Sequence, residues 1–299
     1  MPLSRTSPSQ GPGSPDVTGF HDKDTGSIQY LVTCPETRRA ALIDMVMGFD
    51  PRAARTDTQG PEAILRHARS EGVQIDWVLD THPHADHLMA SGWLADRLSV
   101  PNGIGEKVRD IAGLWRGLYH LPDAFDPSRD FARLFTGGDT FTIGNLPVRV
   151  MFSPGHTMGS ITYVVGRDAA FVHDTFMMPD AGTARADFPG GDAGQLYDSL
   201  QALLALPDTT RLFVGHDYGT DTRKDPAWEA TVADQRRHNA HVGGGVSRED
   251  YVALRQRRDA TLSLPDRMLH VLQMNLRAGR PPAPDSDGRA YLKIPLDRF

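Results

Sequence analysis

The sequence predicts a single domain of mixed α/β class. Strand-like and helix-like segments alternate along its 299 residues, and no interior stretch has the length and composition of a linker between two domains. Four short apolar strands end directly before a histidine or an aspartate, at His82, His156, Asp174 and His216. Three histidines and one aspartate also crowd into the six residues from His82 to His87.

The elements follow in order. Met1–Asp16 is rich in Ser, Pro and Gly and lacks an apolar signal core, so residues 1–19 read as a flexible tail and the chain is expected to be cytoplasmic. Ser27–Thr33 alternates as a strand, Cys34–Thr37 turns it, and Ala40–Asp44 returns as a second strand. Pro61–Ser70 is a helix: Pro61 suits its first turn, Ile64, Leu65 and Ala68 share a face, and Gly72 stops it. Val73–Leu79 is an apolar, β-branched strand that runs into Asp80-Thr81-His82, and Leu88–Leu98 resumes a helical pattern. The stretch Ile111–Phe135 reads as a helical insertion, about residues 110–135, that ends in a loop. Val148–Phe152 is a strand leading into Ser153-Pro154-Gly155-His156, and Ile161–Val165 with Ala169–His173 forms a hairpin leading into Asp174. Gly194–Leu206 is a helix with Leu196, Leu200, Leu203 and Leu204 along one face. Arg211–Val214 is a strand leading into Gly215-His216-Asp217. Ser247–Asp250 resembles a capping box, opening a helix to about Ala260 and a C-terminal helical extension over about 247–299. Arg277–Asp287 is a Pro-rich surface segment, and Tyr291–Pro295 is expected as a last strand.

Composition narrows the function classes. A hydrophobic fraction of 39% and a charged fraction of 23% are those of an ordinary soluble globular protein. The apolar runs are too short to cross a bilayer, so no membrane role is expected. The single cysteine, Cys34, excludes an internal disulfide framework and any multi-cysteine metal site. A net charge of −6 without a basic block argues against nucleic-acid binding.

The chemistry is concentrated in Thr81-His82-Pro83-His84-Ala85-Asp86-His87. Imidazole and carboxylate are the commonest ligands for zinc and non-haem iron. If the chain leaves its strand after Thr81, all four side chains can wrap one side of a small cavity. The strands ending at His156, Asp174 and His216 would bring further donors to the same edge. A neutral imidazole ligand needs its second nitrogen held by an acceptor, and Asp44, Asp80 and Asp217 are candidates for that support. His21, His67, His120 and His270 stand apart from the cluster and read as ordinary structural residues.

These motifs, His82-Pro-His84-Ala-Asp86-His87, Ser153-Pro-Gly-His156, Asp174 and Gly215-His216-Asp217, resemble in order and spacing the metal motifs of the metallo-β-lactamase superfamily. The resemblance implies an αββα sandwich, two mixed sheets face to face with helices outside and the metal at one edge. The segment Gly182-Thr183-Ala184-Arg185-Ala186-Asp187-Phe188, with Gly215-His216-Asp217-Tyr218, is similar to the persulfide dioxygenase branch. Gln235–Asn239 and Tyr291–Pro295 are similar to the subgroup called β-lactamase hydrolase-like proteins.

The resemblance to the dioxygenases implies one Fe(II) per chain, held by His82, His156 and Asp174, with His84 as the next candidate and zinc as an alternative metal. Asp86, His87 and His216 would then line a second-metal position or support the first. Arg185 and Tyr218 would meet the substrate, and the implied reaction is oxidation of glutathione persulfide by O₂ to sulfite and glutathione. A glyoxalase II-type hydrolase with two metals is the nearest alternative, and a redox or sulfide sensor is another. The oligomeric state stays open, a homodimer among the choices. His173 precedes Asp174 where the superfamily often has Gly, and strand alternation is expected to turn it away from the metal.

Overall fold

In the computed structural model, which describes residues 2–299, the chain begins with β1 (Leu3–Ser7), β2 (Asp16–His21), β3 (Ile28–Thr33), β4 (Arg39–Ile43), β5 (Val46–Asp50) and β6 (Arg55–Asp57). Then come α1 (Gln59–Ser70), β7 (Gln74–Leu79), β8 (Leu88–Met89), α2 (Ser91–Leu98), β9 (Asn102–Gly105), α3 (Val108–Tyr119), α4 (Pro127–Asp130) and β10 (Arg133–Phe135). The second half holds β11 (Thr140–Ile143), β12 (Leu146–Phe152), β13 (Ile161–Val165), β14 (Ala169–His173), α5 (Ala193–Leu204), β15 (Arg211–Val214) and β16 (Glu229–Thr231). It closes with α6 (Val232–His238), α7 (Arg248–Asp259) and α8 (Met268–Asn275).

Two mixed sheets carry the fold, a seven-stranded one in the order β1-β2-β3-β4-β7-β9-β10 and a six-stranded one in the order β11-β12-β13-β14-β15-β16. Side chains alternate faces along a strand, and the first sheet uses both faces. Tyr30, Val32, Ala41 and Ile43 point into the core shared with Val148, Val150, Tyr163, Phe171 and Phe213 of the second sheet. Their neighbours Leu31, Ala40, Leu42 and Val78 pack instead against Ile64, Leu65 and Ala68 of α1 and Leu94 of α2. That double burial explains why these strands read as continuous apolar runs. On the other layer Leu196, Leu200 and Leu203 of α5 join the cluster containing Val172, Leu212 and Val214. The architecture is the expected pair of mixed sheets flanked by helices.

Parallel pairing sets the site edge. β4 and β7 run parallel with Ile43 beside Leu79, so Asp44 and Asp80-Thr81-His82 leave the sheet side by side. β14 and β15 run parallel with His173 beside Val214, delivering Asp174 and His216 to one place. The two sheets are tied there by Ile28 N–H to the Gly215 carbonyl (2.8 Å), Ile161 N–H to the Thr81 carbonyl (3.0 Å) and the Tyr163 hydroxyl to the Asp80 carbonyl (3.0 Å).

Several expectations need correction. Residues 1–19 are not a flexible tail over their described part: β1 pairs antiparallel with β2, Leu3 opposite His21. The buried Arg211 guanidinium holds this segment down, donating to Ser7 Oγ (2.9 Å), the Pro8 carbonyl (3.2 Å), Ser14 Oγ (3.0 Å) and the Pro15 carbonyl (3.0 Å). Leu88–Leu98 is not helical throughout, because Leu88 and Met89 pair with Met47 and Val46 before α2 begins. Tyr291–Pro295 forms no strand: the Lys293 N–H goes to the Gln273 side chain (2.9 Å) rather than to a sheet. The insertion is helical in α3 and α4 as expected, but its end, β10, completes the first sheet beside β9. Among the described residues no helix is long and apolar enough to cross a membrane.

Arg211 is 1% exposed, and among the described residues its carboxylate partner is Asp168, at 3.4 Å. Arg211→Met would leave that buried carboxylate with only the Ser14 hydroxyl (2.8 Å) and several carbonyls without a partner, and removing one member of a buried pair typically costs about 3–5 kcal/mol. Chemical denaturation should show a loss of that order, with faster amide exchange in β1. A variant as stable as the parent would contradict the assigned role.

Candidate metal centre

Two donor groups lie at the sheet edge, His82–His156–Asp174 and His84–Asp86–His87, the donor atoms of each group within 4.8 Å of one another. The first is arranged as a ligand set. Asp174 Oδ2 sits 3.7 Å from His82 Nε2 and 3.5 Å from His156 Nε2. Donors bound to a metal at about 2.1 Å lie roughly 3.0–3.4 Å apart, so a shift of a few tenths of an ångström would close them on an ion. Both imidazoles have their other nitrogen engaged. His156 Nδ1–H donates to the Arg185 carbonyl (2.8 Å). The Thr81 hydroxyl donates to Asp44 Oδ2 (2.9 Å) and can accept from His82 Nδ1–H (3.0 Å). Such contacts fix the tautomer and leave each Nε2 lone pair facing Asp174. His82 Nε2 is buried without a hydrogen-bond partner, which a metal would satisfy. Burial, reinforced by the neighbouring imidazoles, holds His82 well below the usual histidine range, so it is neutral and able to ligate.

Asp174 is shared. Its other oxygen, Oδ1, meets His216 Nδ1 at 2.5 Å, while His216 Nε2 meets Asp86 Oδ2 at 2.6 Å and Ser27 Oγ at 2.9 Å. Burial works against a charge on His216, but Asp174 and then Asp86 overcome it and raise its pKa. Burial likewise pushes the Asp174 carboxyl upward, and the His216 charge outweighs it. His216 therefore links the two donor groups, with one ring nitrogen on each carboxylate.

The second group is partly engaged elsewhere. His84 Nε2 meets Asp44 Oδ1 at 3.2 Å, and the His84 and His87 rings are 4.1 Å apart. His84 Nδ1 and His87 Nε2 are buried without partners. Burial, then His84, pushes His87 down to about 3.

Of the three carboxylates expected in support, only Asp44 reaches the candidate donors, through Thr81 and His84. It accepts from the Thr81 N–H (2.8 Å) and hydroxyl, with its own backbone left-handed at φ 52, a region that Asp tolerates. Asp80 is buried with neither oxygen partnered, and burial, then Asp44, raises its carboxyl to about 8. Asp217 instead accepts from Arg223 and the Ala227 N–H (2.7 Å), bracing the loop after His216. His173 does not turn out of the site region. A register shift in β14 leaves it buried 5.2 Å from the His82 ring, bonded through Nε2 to Thr175 Oγ1 (2.8 Å) and so not among the donors.

A cleft of about 930 Å³ opens over the first group, with Asp174, His156, Phe188 and Tyr218 in its wall. Tyr218 is 68% exposed, its ring stacked 5.7 Å from His216. Arg185 also faces the cleft, but its fork is bidentate on Asp187 (2.6 and 2.7 Å) and a further N–H goes to the Ser263 carbonyl (2.7 Å). Arg258 lines the same cleft, and among the described residues its side chain has no hydrogen-bond or ion-pair partner. Arg258, Asn275 and Asp259 carry no signal in the sequence that marks them for the site. Asn275 lies 188 residues from His87, whose carbonyl it binds, and no local pattern announces such a contact.

Comparison with known proteins places these features in context. The profile described as "Metallo-beta-lactamase superfamily" matches residues 26–216. The chain is 50% identical over 284 residues to a beta-lactamase hydrolase-like protein of Xylella fastidiosa, covering 95% of this chain and 65% of that one, so it spans just under two thirds of that relative's length. It is 44% identical to a "Probable metallo-hydrolase" of Burkholderia pseudomallei, covering 94% and 99% of the two chains. Human persulfide dioxygenase ETHE1 is 27% identical, over 84% and 83%. The crystal structure of ETHE1 from Myxococcus xanthus superposes with a TM-score of 0.70 at 28% identity, covering 88% of this chain and 99% of that one.

Gly155 turns the chain into His156 at φ 135, and a Cβ there would fall on the backbone of Leu196. Gly155→Ala should cost about 1–3 kcal/mol, the scale of a strained backbone position, and lower metal occupancy although no donor is changed. Thermal unfolding together with elemental analysis checks both, and parental values in both would refute it.

Proposed function

Because the chain belongs to the metallo-beta-lactamase superfamily, we propose that this metal-dependent enzyme holds a single Fe(II) and oxidises glutathione persulfide with O₂. The observation that carries the reading is the open triad of His82 Nε2, His156 Nε2 and Asp174 Oδ2, beside a His216 whose two ring nitrogens are both taken by carboxylates. Two His and one carboxylate form the ligand face of non-haem iron oxygenases. Both ring nitrogens of His216 face carboxylates, which supports the one-metal reading over the two-metal one. Its likeness in fold to ETHE1 from Myxococcus xanthus supports the same reading.

The overall change balances. Glutathione persulfide, O₂ and water give glutathione, sulfite and two protons: the S–S bond breaks, and the two sulfurs together give up the four electrons that reduce O₂. The iron would supply the redox chemistry, at coordination positions that three protein ligands leave open. The protein's own part is to orient the imidazoles through Thr81 and the Arg185 carbonyl and to charge-balance the site with Asp174. The cleft walled by Phe188 and Tyr218 would receive the peptide portion.

A hydrolase with two metals acting on a glutathione thioester is the second reading. It is favoured by the unpartnered His84 Nδ1 and His87 Nε2 and by the hydrolase names of the more similar relatives. Elemental analysis of anaerobically purified protein, with O₂ uptake on glutathione persulfide and hydrolysis of a glutathione thioester assayed in parallel, separates the two. One iron per chain with O₂ uptake is the expected result. Two tightly bound zinc ions with thioester hydrolysis and no O₂ uptake would overturn the dioxygenase reading.

The substrate is anionic, and the unpaired guanidinium in the cleft belongs to Arg258, since the Arg185 fork is already filled. Arg258→Ala should raise KM and cost on the order of 1.5–3 kcal/mol in kcat/KM, the scale of a charge-assisted hydrogen bond. Arg185→Ala should act more through loss of its contacts to Asp187 and Ser263 and less through KM. Steady-state kinetics on both variants decide it, and an unchanged KM in Arg258→Ala would show the assignment to be wrong.

A further inference from the structure

We propose that Asn275, the last residue of α8, is a positioning residue that sets the shape of the metal centre from outside the segment matched by the family profile. The side chain is 0% exposed and every polar atom it has is used. Its amide N–H₂ donates to the His84 carbonyl (2.7 Å) and the His87 carbonyl (2.8 Å), and its Oδ1 accepts from the Met89 N–H (2.9 Å). One side chain thus gathers three backbone groups of the His82–His87 loop and its exit into β8.

That loop needs an external brace. Between β7 and β8 it follows neither a helix nor a ladder, so no repeating hydrogen-bond pattern fixes its backbone. Its direction nevertheless decides where four metal-type side chains point. Asparagine suits the position because it offers two donors and one acceptor in a rigid plane. The arm that presents it is anchored separately, with Val271 and Met274 of α8 packed in the cluster behind the first sheet. α7 braces a second segment of the centre in the same way. Asp259 Oδ2 accepts from the Ala186 N–H (2.9 Å) and Arg255 donates to the Thr183 carbonyl (2.9 Å), holding the strand of chain whose Arg185 carbonyl orients His156.

The inference requires a metal at the centre, as the proposed function does, but neither iron nor a persulfide, so Co(II) tests it under either reaction. Co(II) affinity by chelator competition and the visible ligand-field spectrum should be measured for the parent, Asn275→Ala, Asn275→Asp and Val271→Ala. Asn275→Asp keeps the volume and the acceptor for Met89 but loses both amide donors, and it decides the matter alone if Asn275→Ala does not fold. Val271→Ala weakens the same helix without touching the loop carbonyls. Both Asn275 variants should bind Co(II) about 10–100-fold more weakly, the usual effect of losing a support behind a ligand, with an altered spectrum. Val271→Ala should unfold at lower temperature with parental affinity and spectrum. Parental affinity and spectrum in the Asn275 variants, or an equal loss in Val271→Ala, would overturn the positioning role. A parent protein that binds no Co(II) would instead overturn the metal reading beneath it.

Discussion

The carboxylate of Asp174 is divided between two tasks, and the centre is organised by that division. Oδ2 faces the lone pairs of His82 and His156, while Oδ1 is held by His216 at 2.5 Å. A buried carboxylate is costly unless it is paired and hydrogen-bonded; here His216 meets that demand at Oδ1 and leaves Oδ2 for an ion. His216 passes the constraint on to Asp86, so the donors of the first group are aligned from inside the cluster. The neutral imidazoles are aligned from outside it, by Thr81, Asp44 and the Arg185 carbonyl.

The fold makes this arrangement cheap to repeat with precision. Strands β4 and β7 of one sheet, and β14 and β15 of the other, run parallel in pairs, so each pair releases two side chains at one edge. Backbone hydrogen bonds between the sheets at Gly215 and Thr81 fix how those edges meet. The candidate donors therefore ride on a rigid scaffold, and the loops contribute the cleft.

Much of this was legible in the sequence, for physical reasons that differ between residues. His82, His156, Asp174 and His216 could be found because each follows an apolar strand, and strand ends are visible through local periodicity. The seven core strands and the helices α1, α5 and α7 were visible for the same reason. β1 was hidden because it is held by its pairing with β2 and, at Ser7, by Arg211 some 200 residues away, rather than by an apolar pattern of its own. Leu88 and Met89 looked helical because their pairing with β5 is a tertiary choice. The engagement of Arg185 with Asp187, which fills its fork, depends on side-chain geometry that a motif does not carry.

The central claim is that one metal sits against His82, His156 and Asp174. Anomalous diffraction at the iron absorption edge, on crystals of protein prepared anaerobically from iron-supplemented cells, tests it directly. The account predicts a single iron peak within bonding distance of His82 Nε2, His156 Nε2 and Asp174 Oδ2, with His216 still bonded to Asp86. Two metal peaks, one of them ligated by Asp86, His87 or His216, would contradict it.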